Sequence, residues 1–122
     1  MGIKVYCYSG CGTCKKALKY LDSKGVAYQL IPIRETPPSK SELRQMLKYL
    51  DGDLKKLFNT SSKDYREGGF KETITKISEK DAFEALSSNG NLIKRPFILN
   101  DTFGIVGFKE DLWDAIFQRF NS

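Results

Sequence analysis

All three cysteines of the chain, Cys7, Cys11 and Cys14, stand in one stretch, VYCYSGCGTCKKALKYL, where a strand-like run gives way to a helix-like one. Three chemistries use thiols so spaced. C-x-x-x-C-x-x-C is a spacing that holds a [4Fe–4S] cluster through three thiolates, but Cys7 falls in the strand run, and 122 residues leave no room for the large barrel that usually accompanies such clusters. A closed zinc site takes four ligands, and the sequence has no histidine and no fourth cysteine. No metal is therefore expected. Free cysteine also serves as a small core residue, and for Cys7 taken alone packing is the plainer fate. Cys11 and Cys14 form a C-x-x-C pair at a strand-to-helix junction, the setting of a redox dithiol.

The first N–H groups of a helix lack intrahelical acceptors, and the macrodipole places partial positive charge there. A cysteine at that point is stabilised as the attacking thiolate. Cys11 takes the exposed first position, Gly12 keeps the approach open, and Lys15 and Lys16 add positive charge. Gly12, Thr13 and Lys15 are the candidate substrate contacts of this turn. Cys14 lies three residues on, about one turn along the same face, within reach of a mixed disulfide on Cys11. The expected roles are Cys11 as nucleophile and Cys14 as resolving thiol.

The elements that must position this pair can be read from pattern. Ile3 to Tyr8 is β-branched and aromatic, as a buried strand should be. From Gly12 the pattern is helical, with Ala17, Leu18 and Leu21 on one side and Gly25 as the stop. Val26 to Ile33 reads as a second strand, closed by Pro37 and Pro38. That order predicts a parallel βαβ unit with a right-handed crossover. Ser39 to Leu50 is an amphipathic helix, Asp53 to Phe58 a shorter one, and Tyr65 to Ile77 a short helix and connector. In SEKDAFEALSSNG, Ser78 caps a helix that Asn89-Gly90 ends. RPFILND and TFGIVGF read as strands of an antiparallel hairpin turning at Asn100-Asp101. A last helix carries Leu112, Trp113, Ile116, Phe117 and Phe120. No repeat or linker interrupts the order, so residues 1–122 are read as one domain with a helical insertion at about 39–90.

A chain of this length that is 40% apolar can bury a core without staples. It shows no signal-like segment and no apolar run near the roughly 18 residues of a membrane span. A cytoplasmic, monomeric protein without membrane contact is expected, and in a reducing cytosol clustered thiols are chemical rather than structural. The net charge of +5 comes from lysines spread along the chain without a like-charged tract, so direct nucleic-acid binding is not expected. Lys40, Arg44 and Lys48 are read as a solvated helix face.

Far from the cysteines, LIKRPFIL sets Arg95 before a proline that starts a strand, which restricts Arg95 to extended backbone. Taken with this segment, CGTCKKA, LFNT and VGFKED resemble, in order and spacing, the family of the arsenate reductases (ArsC), the Spx-type regulators and their YffB-like relatives. The resemblance runs from Val5 to about Trp113 and is nearest the YffB-like branch. It implies an α/β thioredoxin-like fold, βαβ then ββα in a mixed four-stranded sheet, with a helical insertion between the halves. It implies a cis Pro96 packed against the cysteine loop and Arg95 facing the nucleophile as an anion-binding residue, suited to a tetrahedral oxyanion by its forked donors. Asn59 and Lys109 stand where the arsenate reductases carry two further arginines, and Cys7 where they carry a histidine. Those enzymes commonly lack the second cysteine of C-x-x-C and use glutathione for the resolving step.

Two functions compete. The first is a thiol–disulfide oxidoreductase of the ArsC type, with catalytic Cys11, Cys14 and Arg95 and substrate contacts at Gly12, Thr13, Lys15, Asn59, Pro96 and Lys109. Its substrate is a small thiol, an oxyanion such as arsenate, or a redox protein. It has no tightly bound cofactor, and glutathione, a glutaredoxin or a thioredoxin is its reductant. The second is a redox-sensing regulator that binds RNA polymerase, as the Spx resemblance implies. Asp51-Gly52 lies where that branch has a glycine in its polymerase-binding loop, although a tight turn is the plainer reading.

Overall fold

The structure is a computed structural model and describes residues 2–117. The first half runs β1 (Lys4–Cys7), α1 (Gly12–Ser23) and β2 (Gln29–Pro32). Helices α2 (Lys40–Tyr49), α3 (Lys63–Glu67), α4 (Phe70–Thr73) and α5 (Glu79–Ser88) follow, with 3-10 turns at Leu54–Leu57 and Gly90–Leu92. The chain then forms β3 (Phe97–Leu99), β4 (Gly104–Val106) and α6 (Glu110–Phe117). The four strands lie in the order β2-β1-β3-β4. β1 pairs parallel with β2 and antiparallel with β3, which is antiparallel to β4. This is the mixed α/β sheet expected.

Successive side chains of a strand point to opposite faces, and both faces of this sheet are covered. Val5 and Cys7 of β1 and Ile98 of β3 join one apolar cluster with Ala17 and Leu21 of α1 and Trp113 and Phe117 of α6. Tyr6, Phe97 and Leu99 point the other way, into a cluster with Leu43, Met46 and Leu47 of α2 and Phe83 and Leu86 of α5. Burying residues such as Leu43 and Leu47 contributes roughly 1.5–3 kcal/mol each. Helix α2 starts at Ser39, whose hydroxyl accepts from the Glu42 N–H at 3.1 Å, while Glu42 Oε1 accepts from the Ser39 N–H at 3.1 Å. That capping box contributes about 1 kcal/mol. It also orients Glu42 to accept from the Tyr6 hydroxyl at 2.8 Å, which ties the insertion to the central strand.

Three expectations shift in detail. β2 begins at Gln29 rather than Val26, because the Val26 N–H bonds to the Leu21 carbonyl at 3.0 Å and so belongs to the end of α1. The helix expected over Asp53 to Phe58 is a 3-10 turn. In place of one short helix and a connector over Tyr65 to Ile77 there are two short helices, α3 starting earlier at Lys63 and α4 following, parted at Gly69, whose φ of 71° suits a residue without Cβ. Helix α5 ends at Asn89-Gly90 as expected, with Asn89 as its C-cap. Gly90 also serves a close approach, since a Cβ there would sit 2.0 Å from the Ile33 carbonyl oxygen. The hairpin turn forms at Asn100, whose buried side-chain oxygen accepts from the N–H groups of Thr102 and Phe103, both at 2.9 Å. Phe120 lies outside the described residues.

Candidate functional site

The chain leaves β1 at Cys7 and turns into α1 through Tyr8 to Cys11. Cys11 is the N-cap, extended at φ −88° and ψ 118°. Its N–H bonds to the Tyr8 carbonyl at 3.0 Å, and its own carbonyl accepts from the Lys15 N–H at 3.1 Å. No side chain caps the helix and its first turn carries no acid, so nothing negative competes with sulfur for the helix start. Cys11 is half-buried, whereas Gly12, Thr13, Lys15 and Lys16 are exposed.

Cys14 points inward from the first turn of α1 on the stripe that continues through Ala17 and Leu21, and is 1% exposed. Cys7, the last residue of β1, shares the strand face of Val5 and is 5% exposed. The two thiols meet. Cys14 sulfur accepts hydrogen bonds from the Cys7 thiol, from the backbone of Tyr8 and from the Cys11 thiol. The Cys7 bond is the chief reason the Cys14 thiol is lowered from 9.0 to about 6, against the opposing effect of burial, with the Arg95 guanidinium adding attraction. Cys7 moves the other way. With its proton committed to Cys14 and its surroundings apolar, it is held neutral far above the usual thiol range. The convergence of donors thus falls one turn deeper than the helix-start argument placed the anion.

Arg95 precedes a cis bond to Pro96, as the resemblance implied. The Pro96 carbonyl accepts from the Gly107 N–H at 2.9 Å, and the Gly107 carbonyl accepts from the Trp113 indole at 3.2 Å, which anchors the turn to α6. Arg95 Nε and Nη1 are buried and have no hydrogen-bond partner among the described residues. The guanidinium carbon lies 5.4 Å from the centre of the Tyr8 ring. A second guanidinium, Arg34, stacks on the same ring at 3.4 Å and donates from Nε to the Asn91 side-chain oxygen at 2.6 Å.

A cavity of about 700 Å³ opens beside the thiols. Its lining combines Cys7, Cys14 and Tyr8 with the apolar Leu18, Leu30 and Pro32 and the charged Lys15, Arg34 and Glu35. Lys109 lines a different cavity, with Lys94, Lys55 and Lys56, whose described lining includes none of the cysteines. Asn59 is committed locally, its side-chain oxygen accepting from the Ser61 N–H at 3.3 Å and its N–H donating to the Leu92 carbonyl at 2.7 Å. Cys11, Cys14 and Arg95 are therefore brought together, with Lys15 at the adjoining cavity, while Lys109 is placed apart. Sequence reasoning missed Tyr8, Arg34 and the partnership of Cys7. Only the last left a signal: Cys7 shares its parity along β1 with Val5, the side that an inward Cys14 must face. Among the described residues no group of three or more His, Cys, Asp or Glu side chains is arranged to hold a metal ion.

The mixed sheet, the C-x-x-C at the start of α1 and the cis proline opposite define a thioredoxin-like thiol protein. The chain belongs to the ArsC family, whose family model matches residues 6–116. It is 45% identical over 114 residues to the uncharacterized protein YusI of Bacillus subtilis, covering 93% of this chain and 97% of that one. It is 28% identical over 117 residues to the global transcriptional regulator Spx of Streptococcus agalactiae, covering 96% of this chain and 84% of Spx. The crystal structure of a possible arsenate reductase from Streptococcus mutans superposes with a TM-score of 0.83 at 36% identity, over 90% of this chain and 96% of that one. No helix among the described residues is long and apolar enough to cross a membrane.

Proposed function

We propose that the protein is a cytoplasmic thiol–disulfide reductase of the ArsC type, acting on a substrate that carries an anionic group. The observation that carries this reading is the pair of unpartnered, buried Arg95 nitrogens beside three thiols in hydrogen-bonding contact. Buried guanidinium donors without acceptors are costly, and a carboxylate or oxyanion satisfies two of them at once. Cys11, the most accessible of the three sulfurs, attacks the substrate disulfide and expels one thiolate. Its proton has an acceptor in contact, Cys14 sulfur, and passes on to the leaving thiolate. Cys14 then attacks the sulfur of Cys11, closes the Cys11–Cys14 disulfide and releases the second thiolate. Glutathione or a dithiol protein of the glutaredoxin or thioredoxin kind restores both thiols. Arsenate is an acceptor of this kind and is the oxyanion to assay first.

Turnover of glutathione-linked disulfides and of arsenate tests this. Cys11→Ser abolishes it, whereas Cys14→Ser accumulates a mixed disulfide on Cys11 visible by intact mass. Full activity in either variant sinks the reading. The similarity to Spx favours a second reading, a redox-controlled partner of RNA polymerase. Recovery of polymerase subunits on the immobilised protein, changed by oxidation, would support it. The exposed Asp51-Gly52 turn, with φ of 57° and 81°, is accounted for by its closure of α2, where the Gly52 N–H bonds the Leu47 carbonyl at 2.9 Å.

A further inference from the structure

We infer that Cys7 is a third redox thiol, which takes the disulfide from Cys14 and presents it to the cavity between α1 and β2. The inference rests on the proposed reductase reading and adds a step to it. Cys7 and Cys14 are buried in one cluster with Cys11 packed against it, and Cys14 interacts with both other cysteines, so it can be linked to either. Cys11 and Cys7 differ in where they lead. Cys7 and Cys14 line the cavity of about 700 Å³, whose described lining does not include Cys11. That volume is in the range of small-molecule sites. Its wall is apolar at Leu18, Leu30 and Pro32, and Lys15 and Arg34 bring two cations against the one acid, Glu35. Those features suit a low-molecular-weight thiol that bears carboxylates.

The step balances without an outside oxidant. Once Cys11 and Cys14 are joined, Cys14 no longer holds the Cys7 proton as a thiolate would. Cys7 sulfur attacks Cys14 sulfur, the Cys11–Cys14 bond breaks, and the Cys7 proton ends on the released Cys11. The product is a Cys7–Cys14 disulfide and a free Cys11, already available for the next substrate. Two molecules of the carboxylate-bearing thiol then reduce Cys7–Cys14 through a mixed disulfide and leave as their own disulfide. Substrate and reductant accordingly meet different sulfurs.

The full chain, oxidised with diamide, quenched with an alkylating agent and cut with chymotrypsin, tests this. Cleavage after Tyr8 severs Cys7 from Cys11 and Cys14, so a link to Cys7 holds two peptides together and a Cys11–Cys14 link does not. In Cys11→Ser, the expected result is loss of both remaining free thiols to a Cys7–Cys14 link. In the wild type, brief exposure to glutathione should place the glutathione adduct on Cys7 or Cys14. The inference is overturned if Cys11→Ser keeps both thiols free, or if glutathione is found on Cys11 alone. Cys7→Ser separates this from the underlying reading. A Cys11–Cys14 disulfide in that variant upholds the reductase reading whatever happens to the relay, and its absence there and in the wild type removes the reductase reading itself.

Discussion

Replacing Cys7 by alanine should release the Cys14 thiolate from its chief stabilising partner. The Cys7 thiol is the largest of the influences that bring Cys14 down from 9.0 to about 6. A hydrogen bond to a charged group contributes about 1.5–3 kcal/mol, and one unit of pKa is about 1.4 kcal/mol. Losing it therefore moves Cys14 up by about 1–2 units, to a midpoint of about 7–8. The Tyr8 backbone and Arg95 still favour the anion, and so keep the value below that of a free thiol. The measurement is thiolate ultraviolet absorbance against pH in a Cys11→Ser background, where Cys7→Ala leaves Cys14 as the last cysteine. Cys7→Ser keeps a small donor in the same place and should shift the midpoint less than alanine does. A Cys7→Ala midpoint still at about 6, or a serine variant displaced as far as the alanine one, would refute the hydrogen-bond argument.

The same thiols should shape stability against pH. Cys14 is ionised in the folded chain from about pH 6 but in the unfolded chain only from about pH 9, so unfolding takes up a proton throughout that window and stability rises with pH across it. The rise is of the order of 2–4 kcal/mol. Above pH 9 the sign reverses, because Cys7 stays protonated when folded and loses its proton when unfolded. Urea midpoints of the reduced protein measured from pH 6 to 10 check both limbs, and Cys14→Ser should flatten the rising one. Gly90→Ala places a Cβ against the Ile33 carbonyl and should cost about 2 kcal/mol or more in the same assay, while Gly2→Ala, where a Cβ meets nothing within 4 Å, should leave the midpoint unchanged.

Much of this was legible in the residues alone, and the limits are physical. The order of elements could be read because strand and helix periods differ and because Ser39, Ser78 and Asn100 announce their caps and turn through local hydrogen bonds. The site was half legible. A helix start after a strand predicts where Cys11 and Cys14 stand, since both depend on short-range geometry. Nothing local says that Arg34, after β2, and Arg95, before β3, meet on the Tyr8 ring, because that contact is made by the sheet order β2-β1-β3. Lys109 shows the same limit. Its position in the motif suggested the thiol site, but the side chain is placed with Lys94 in another cavity.

The Tyr8 ring works as a hasp. One guanidinium reaches it from the end of the first half of the chain and one from the start of the second, so every helix between Arg34 and Arg95 belongs to a loop whose two ends are pinned at the same phenol. The entropy of closing such a loop grows only with the logarithm of its length, about 0.6 kcal/mol for each doubling. The stretch between can therefore be lengthened or rebuilt at small expense, so long as the two arginines and the ring remain. A chain built this way can acquire new outer helices, and new partners for them, while its sulfurs stay where they are.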